Sequence, residues 1–470
     1  MEQQRITRQQ RAEREQRRFR NKIMSLKSIL FFGFLFVMSF IGLLWFARPS
    51  VSTVEKRELT KFPALTWSGF WDGSWFSEID TWYADTYPLR EMLISMDSDM
   101  ENLYGIRSEQ LVGGSAQVAD EIPEGTVDLE AMAAQTEETT VPTETEDDGV
   151  EGKGDAVTPA ETAGTVYITE NCGYGVYYFT QSTSAKYCLL VNNLAEQCKG
   201  TANVYSLIAP ISTGIMLSDE VREGIGCSDE NEAMEWMYAQ MSPDVKTVPV
   251  YHTLKRHNDE YIYFHTDHHW TALGAYYAYR EFCSVKGLVP HELNEFETYE
   301  FPDFLGTFYY SSNQSPALAQ NPDTLTAFIP NGTNLMTMQM ANGDGTYTEY
   351  QWPIVNDVSA YEKSELYSCF AGSDQPYNYV HNKTIKDGSA VLVVKDSFAN
   401  AFIPFLIDHY EHIYWIDYRS YDNYCSYAGI SDSSISALVR SKSINDVIVL
   451  NNINSTGSGD FLDYMEKLYK

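Results

Sequence analysis

Two short polar strings in this chain carry residue types that can do nucleophilic chemistry. The first is Tyr261-Ile-Tyr-Phe-His-Thr-Asp-His-His-Trp270, which gathers His265, Asp267, His268 and His269 within five positions. The second is Val391-Leu-Val-Val-Lys-Asp-Ser-Phe398, where an apolar run meets Asp396 and Ser397. A serine hydroxyl becomes a nucleophile when an imidazole takes its proton, and a carboxylate behind the imidazole fixes the ring and favours its cationic form. Ser397, a histidine of the first string and Asp267 offer these three roles. A serine at a turn from strand to helix also sits beside free backbone N–H groups, which can hold a developing oxyanion.

Each residue also has a plainer role. Ser397 or Asp396 at the start of a helix reads as an N-cap. Three histidines and an aspartate suit zinc, manganese or iron, and Asp-His-His is the string that names a group of manganese phosphoesterases. Those enzymes need further aspartate motifs at preceding strand ends, and no D-x-D counterpart occurs in this chain; no metal and no cofactor are expected. Trp270 reads as packing.

Strands and helices must position these strings. Apolar runs rich in β-branched and aromatic residues recur at 204–209, 247–251, 261–264, 390–394, 412–416 and 447–450. Helix-period segments follow at 271–285 and 398–410. Unalternated apolar runs joined through helices predict strands buried on both faces of a mainly parallel sheet, with the site at the strands' carboxyl ends. Both polar strings then lie at strand ends.

The remainder of the 470 residues divides by composition. Residues 1–27 carry nine basic and three acidic side chains, and 28–47 is an uncharged run of 20. A helix of about 20 apolar residues crosses a bilayer, and basic residues on its flank stay inside. The expectation is a basic cytoplasmic tail over 1–27, a single membrane anchor over 28–47, and everything after Arg48 outside the cell. Segment 48–114 is then the membrane-proximal part of the extracellular domain. Residues 115–163 are acidic, poor in apolar side chains and free of aromatics, which predicts a disordered insertion. Residues 164–470 form the main domain. Lys plus Arg number 33 against 65 Asp plus Glu, a formal charge of −32, which excludes a nucleic-acid binder that needs a basic face. Seven cysteines without a C-x-x-C pair predict neither a zinc site nor a disulfide framework.

The string Asp267-His-His-Trp270 is the one after which the bacterial DHHW protein family is named, and the chain resembles that family over most of the region beyond the apolar run. The family is similar to the alginate O-acetyltransferases AlgX and AlgJ, SGNH-hydrolase-like proteins with their motifs in permuted order. Glu55-Lys-Arg57-Glu-Leu59 and Ala84-Asp-Thr-Tyr-Pro-Leu-Arg90 resemble its membrane-proximal segments, Leu207-Ile-Ala-Pro210 one of its strands, and Asp396-Ser-Phe-Ala399 its serine block. The resemblance implies an SGNH-hydrolase-like layered α/β fold, with Ser397 as nucleophile, His269 as base and Asp267 as orienting carboxylate. His268 stands at a variable position and receives no role. Lys395 departs from the glycine that the alginate enzymes carry before Asp-Ser. Oxyanion donors are sought in the N–H of Ser397, in Gly306 of Phe304-Leu-Gly-Thr307, and in Asn452. Asp417-Tyr418-Arg419 lines the site or forms a surface salt-bridging turn.

The chemistry so implied is acyl transfer. Ser397 accepts an acetyl group and passes it to a hydroxyl of a cell-surface or secreted polysaccharide. No soluble acetyl donor is expected outside a cell, so the resemblance implies a membrane-bound O-acyltransferase partner beside the 28–47 anchor. Two other readings stay open on sequence: a carbohydrate esterase (deacetylase) using the same triad with water, and a non-catalytic cell-envelope assembly protein.

Overall fold

The computed structural model describes residues 33, 48, 51–52, 57–72, 74–88, 110–112, 119–134 and 165–469. The expected anchor over 28–47 lies outside these residues, save residue 33; among the described residues no helix is long and apolar enough to cross a membrane. The chain forms two units, Met1–Leu103 and Tyr104–Lys470. In the first, helices Trp67–Asp72 and Ser74–Asp85 follow a short strand pair. There the Arg48 guanidinium lies over the Trp82 ring and donates to Thr86 Oγ1.

Among the described residues, the second unit holds a small three-stranded sheet, Gln110–Val112, Val166–Thr169 and Cys172–Gly175, and the strands β1 (Asn203–Ala209), β2 (Val245–Thr247), β3 (Glu297–Phe304), β4 (Asp323–Ile329), β5 (Leu335–Ala341), β6 (Tyr347–Pro353), β7 (Tyr377–His381), β8 (Ala390–Lys395), β9 (His412–Asp417) and β10 (Asp446–Asn452). Eight of them make one sheet in the order β6-β5-β7-β9-β8-β10-β1-β2. β9, β8, β10, β1 and β2 run parallel, whereas β7, β5 and β6 extend the sheet antiparallel. The sheet is therefore mixed: its larger part is parallel, as expected, and a three-strand antiparallel extension is added to it. The run at 335–341 alternates in burial over its first residues and 347–353 is mostly exposed beyond Tyr347, as suits an edge hairpin with a wet face, and both so escape a reading tuned to continuous apolar runs. β3 and β4 pair separately.

Helices cover both faces of the parallel part. α1 (Gln181–Cys198) packs on β1 and reaches Asn451 of β10 through the Tyr187 hydroxyl. α2 (Glu230–Gln240) lies against α1. On the other face Phe282 of α3 (Ala272–Lys286) meets Tyr205 of β1 edge-on. Thr271 caps the start of α3 by accepting from Gly274 N, and Gly287, at φ 81°, ends it in the left-handed conformation that glycine adopts without strain. α4 (Gly459–Leu468) begins at the Ser458 cap and closes the chain over α1.

Four expectations are corrected. Residues 261–264 form no strand; their one ladder contact is the bridge Tyr263–Trp270. The predicted helix 398–410 is broken into a 3-10 turn Ser397–Ala401, one α-turn Ile403–Leu406 and a second 3-10 turn Ile407–His409; Pro404 lacks an N–H and cannot continue the preceding turn, but fits the start of the next one, where that N–H needs no partner. The run at 247–251 ends as a strand at Thr247, and a helix, Tyr251–Lys255, follows Pro249. Within the expected disordered insertion, residues 119–134 are ordered: the Gln240 amide of α2 accepts from Val127 N and donates to Gly125 O. The rest of that insertion, 115–118 and 135–163, lies outside the described residues.

Candidate active site

Ser397 stands where β8 gives way to the 3-10 turn, and Asp396 caps that turn. Asp396 Oδ1 accepts from Phe398 N at 3.0 Å. Its Oδ2 accepts from Asn452 N at 2.7 Å, Asn452 Nδ2 at 3.0 Å and Ser455 Oγ at 2.8 Å. A buried carboxylate holding this many donors fixes the backbone around it. With Asp396 serving as the cap, the Ser397 hydroxyl turns to an imidazole instead.

That imidazole comes from a loop. Asp323, buried at the start of β4, accepts from His265 N at 2.8 Å, Thr266 N at 2.8 Å, Thr266 Oγ1 at 2.6 Å and the Tyr261 hydroxyl. Thr271 N bonds Ile262 O at 2.9 Å and closes the loop just before α3. Asp267 and His269 are thus carried on a ten-residue bend pinned at its base and its middle.

The two elements bring the three residues together. Ser397 Oγ lies 2.6 Å from His269 Nε2, and His269 Nδ1 lies 2.5 Å from Asp267 Oδ1. Asp267 Oδ1 also accepts from His269 N at 3.0 Å, while Oδ2 accepts from Thr307 N at 2.8 Å and Thr307 Oγ1 at 3.1 Å. The His269 ring stacks on Tyr367, with centroids 3.9 Å apart and planes 11° from parallel. The Tyr367 hydroxyl donates to Ser397 O at 3.0 Å. Trp270 Nε1 donates to Phe398 O at 2.8 Å, tying the loop to the serine turn. All three residues are nearly closed to solvent, at 2%, 5% and 4% exposure for Asp267, His269 and Ser397.

Burial by itself raises the Asp267 pKa, but the His269 and His268 imidazoles, the His269 hydrogen bond and the Thr307 N–H outweigh it and hold the carboxyl well below the usual carboxylate range. An ionised Asp267 makes Nδ1 the protonated nitrogen of His269 and leaves Nε2 to accept a proton from Ser397. Asp267, His268 and His269 also present three potential ligand atoms within 4.8 Å of one another. The arrangement does not suit a metal. Ligands on one tetrahedral ion with bonds of about 2.0–2.1 Å stand about 3.3 Å apart, whereas Asp267 and His269 are at hydrogen-bond distance and His268 Nδ1 is bonded to Thr307 Oγ1 at 2.6 Å.

The family model described as DHHW protein matches residues 55–147 and 133–416. The chain belongs to the DHHW family. The crystal structure of a DHHW family protein from Eubacterium siraeum DSM 15702 is similar, with 26% identity and a TM-score of 0.56, covering 66% of this chain and 98% of that one. Bacillus cereus PatB1, solved with a sulfonyl adduct, is 17% identical with a TM-score of 0.51, covering 64% and 99% of the two chains; at that identity it shows the fold alone. The O-acetyltransferase domain of Pseudomonas putida AlgJ is 11% identical with a TM-score of 0.30, covering 64% and 95%, too distant to carry an argument. No curated protein matches the chain.

The other residues that the sequence singled out in this DHHW protein have different work. The N–H of Gly306 is given to Thr266 Oγ1 at 3.0 Å, so it is no oxyanion donor. Gly306 supplies room instead: a Cβ there would lie 2.2 Å from Asp267 Cβ. Asn452 spends both its N–H and its side-chain amide on Asp396. Tyr418 and Arg419 line no open surface, being 1% and 2% exposed, and the surface-turn reading fails for the same reason. Arg419 grips Asp417 through Nε at 2.8 Å and Nη2 at 2.5 Å, and reaches Asp374 at 3.2 Å. Lys395, fully buried, donates to Asp374 Oδ1 at 2.8 Å and lies 3.5 Å from Asp417 Oδ2. Burial pushes Asp374 up, but Lys395 and Arg419 together hold its carboxyl far below the ordinary range. Two cations and two carboxylates so form a neutral cluster under the serine turn, buried except at the partly exposed Asp374, and tied to it by Asn400 Nδ2, which donates to Asp374 at 2.9 Å.

Four residues shape the site without a motif of their own: Tyr367, Thr307, Asp323 and Asp374. Thr307 adjoins Gly306 in a string already noted. The others lie in segments whose composition points nowhere.

Proposed function

We propose that this DHHW protein is a serine O-acyltransferase that moves an acetyl group onto a hydroxyl of a cell-surface or secreted polysaccharide. The observation that carries the reading is the unbroken chain of contacts Ser397 Oγ, His269 imidazole, Asp267 carboxylate. Ser397 Oγ attacks the acyl carbonyl while His269 Nε2 takes its proton; the tetrahedral oxyanion collapses, and His269 returns the proton to the departing group. An acceptor hydroxyl then gives its proton to His269 and attacks the acyl-serine; as the tetrahedral intermediate collapses, His269 passes that proton to Ser397 Oγ, which leaves as the free serine. Asp267 stabilises the imidazolium at both stages. The reading is also supported by family membership and by the resemblance of the motifs to the SGNH-hydrolase-like alginate enzymes. On it, residues 28–47 anchor the chain in the cell membrane with the catalytic domain outside, beside a membrane-bound O-acyltransferase that delivers the acetyl group.

The test is mass spectrometry of the purified chain after exposure to an activated acetyl ester, with and without an oligosaccharide acceptor. Acetyl on Ser397 that passes to the sugar, and is absent from His269→Ala, is the expected result. Acetyl that is only ever released as acetate makes the protein an esterase; no acetyl on Ser397 under any condition removes the enzyme reading.

A further inference from the structure

At the end of the sheet opposite Ser397, His381 closes β7 and His412 opens β9, and the two are cross-strand partners. Glu411 immediately precedes the second. Nε2 of His381 lies 3.6 Å from Glu411 Oε1, and Nε2 of His412 lies 3.8 Å from the same oxygen. One ligand atom from each residue falls within 4.8 Å of the other two. The separations to Glu411 are too long for hydrogen bonds, so the two ring nitrogens and the oxygen lie close together without satisfying one another.

The surroundings hold these atoms in place. The Tyr379 hydroxyl bonds His412 Nδ1 at 2.8 Å, which fixes the ring and leaves Nε2 for a ligand. Gly388 N donates to Glu411 Oε2 at 2.8 Å, which leaves Oε1 for the same purpose. Glu411 N donates to Ser389 Oγ at 3.0 Å and its carbonyl accepts from Asn382 N at 2.9 Å, so the backbone is tethered on both sides. The imidazole rings stack 22° from parallel, with centroids 4.8 Å apart. The side chains of His381, His412 and Glu411 are 40%, 31% and 18% exposed, open enough to admit an ion and its waters.

We propose that His381, Glu411 and His412 bind a divalent transition-metal ion of the Zn2+ class, with water in the remaining position. Two imidazole nitrogens and one carboxylate oxygen are the donor set that zinc accepts, whereas calcium and magnesium select oxygen. Co-ligands of a tetrahedral ion stand about 3.3 Å apart, so binding draws both ring nitrogens somewhat closer to Glu411 Oε1, from 3.6 Å and 3.8 Å, and brings the two nitrogens together from within 4.8 Å. The ion joins β7, the first antiparallel strand, to β9, the edge of the parallel part, and so staples the two halves of the sheet. Ala390 pairs with His412 and Lys395 with Asp417, which places the ion about 17 Å of strand away from the serine turn at ~3.3 Å per residue. Its role is structural and independent of acyl transfer.

The experiment uses the full chain, stripped with a chelator and titrated with Zn2+ against a chromophoric competitor. One equivalent is expected, unaffected by excess Mg2+ and retained in His268→Gln, with a rise in melting temperature on binding. Loss of that equivalent in His381→Gln/His412→Gln, and weakening by about tenfold or more in Tyr379→Phe, support the site. Absence of binding in the wild type, or retention of the equivalent in the double variant, overturns it. X-ray absorption on the wild-type Zn2+ complex reads the ligands without any variant: two nitrogen neighbours are expected, and a shell without histidine sinks the proposal.

Discussion

The bond between Ser397 and His269 joins positions 128 residues apart, and its neighbours decide what each atom does. Since Asp267 receives Nδ1 and Ser397 faces Nε2, replacing Asp267 by Asn removes the group that selects the tautomer. A fall in acetyl turnover of about 10^4 is expected for Asp267→Asn, and at least about 10^3 for Ser397→Ala or His269→Ala, measured with an activated ester on variants whose circular dichroism matches wild type. Asp267 also carries a pH signature. Its folded pKa lies below its ordinary value of 3.8, so its contribution to stability is present above that value and is lost as pH falls through the folded one. Urea midpoints taken between about pH 5 and pH 2 should fall less steeply for Asp267→Asn than for wild type; equal slopes refute the electrostatic account. At this scale the sequence was informative where a residue type is rare and chemically loaded, as with the Asp-x-His pair and the serine. It was silent on Tyr367, because a tyrosine is as ordinary on a core surface as against a catalytic ring.

Elements place these atoms, and they divide by whether local pattern or distant partners shape them. β8, β9, β10 and α3 were legible because burial on both faces or a clear cap dictates both composition and conformation. The bend 261–270 was not: its aromatic, β-branched residues suit a strand, yet Asp323, more than fifty positions away, takes the backbone N–H groups that a neighbouring strand would have claimed. The oxyanion assignments to Gly306 and Asn452 failed for a related reason, since one N–H can serve only one acceptor and both had nearer ones. Gly306 makes the bend's fit testable. The methyl of Gly306→Ala meets the Asp267 side chain, so the carboxylate must move; a displacement of about 1 Å is enough to lower turnover about 10^2-fold. A crystal structure of the variant with Asp267 unmoved and full activity contradicts this.

Across the whole molecule, the serine turn rests on the Asp374, Lys395, Asp417 and Arg419 cluster. Breaking one member of a buried ion network leaves an uncompensated charge, which costs about 3–5 kcal/mol. Lys395→Met should therefore lower unfolding free energy by about that amount in urea, and a variant within experimental error of wild type shows that the cluster is neutral to stability. Only its Asp417–Arg419 half was legible in sequence, because Lys395 meets Asp417 through the pairing of β8 with β9 and Asp374 arrives from a turn outside the strands.

The strand that completes the sheet, β10, enters between β8 and β1 rather than at an edge. A nascent chain halted before residue 446 already contains the hydroxyl and the imidazole, yet it lacks the wedge that joins the two flanks and the Asn452 and Ser455 donors that seat Asp396. The contacts that seat Asp396 beside Ser397 therefore form only after residues 446–455 have been added, and a chain released before them lacks the donors that fix the serine turn.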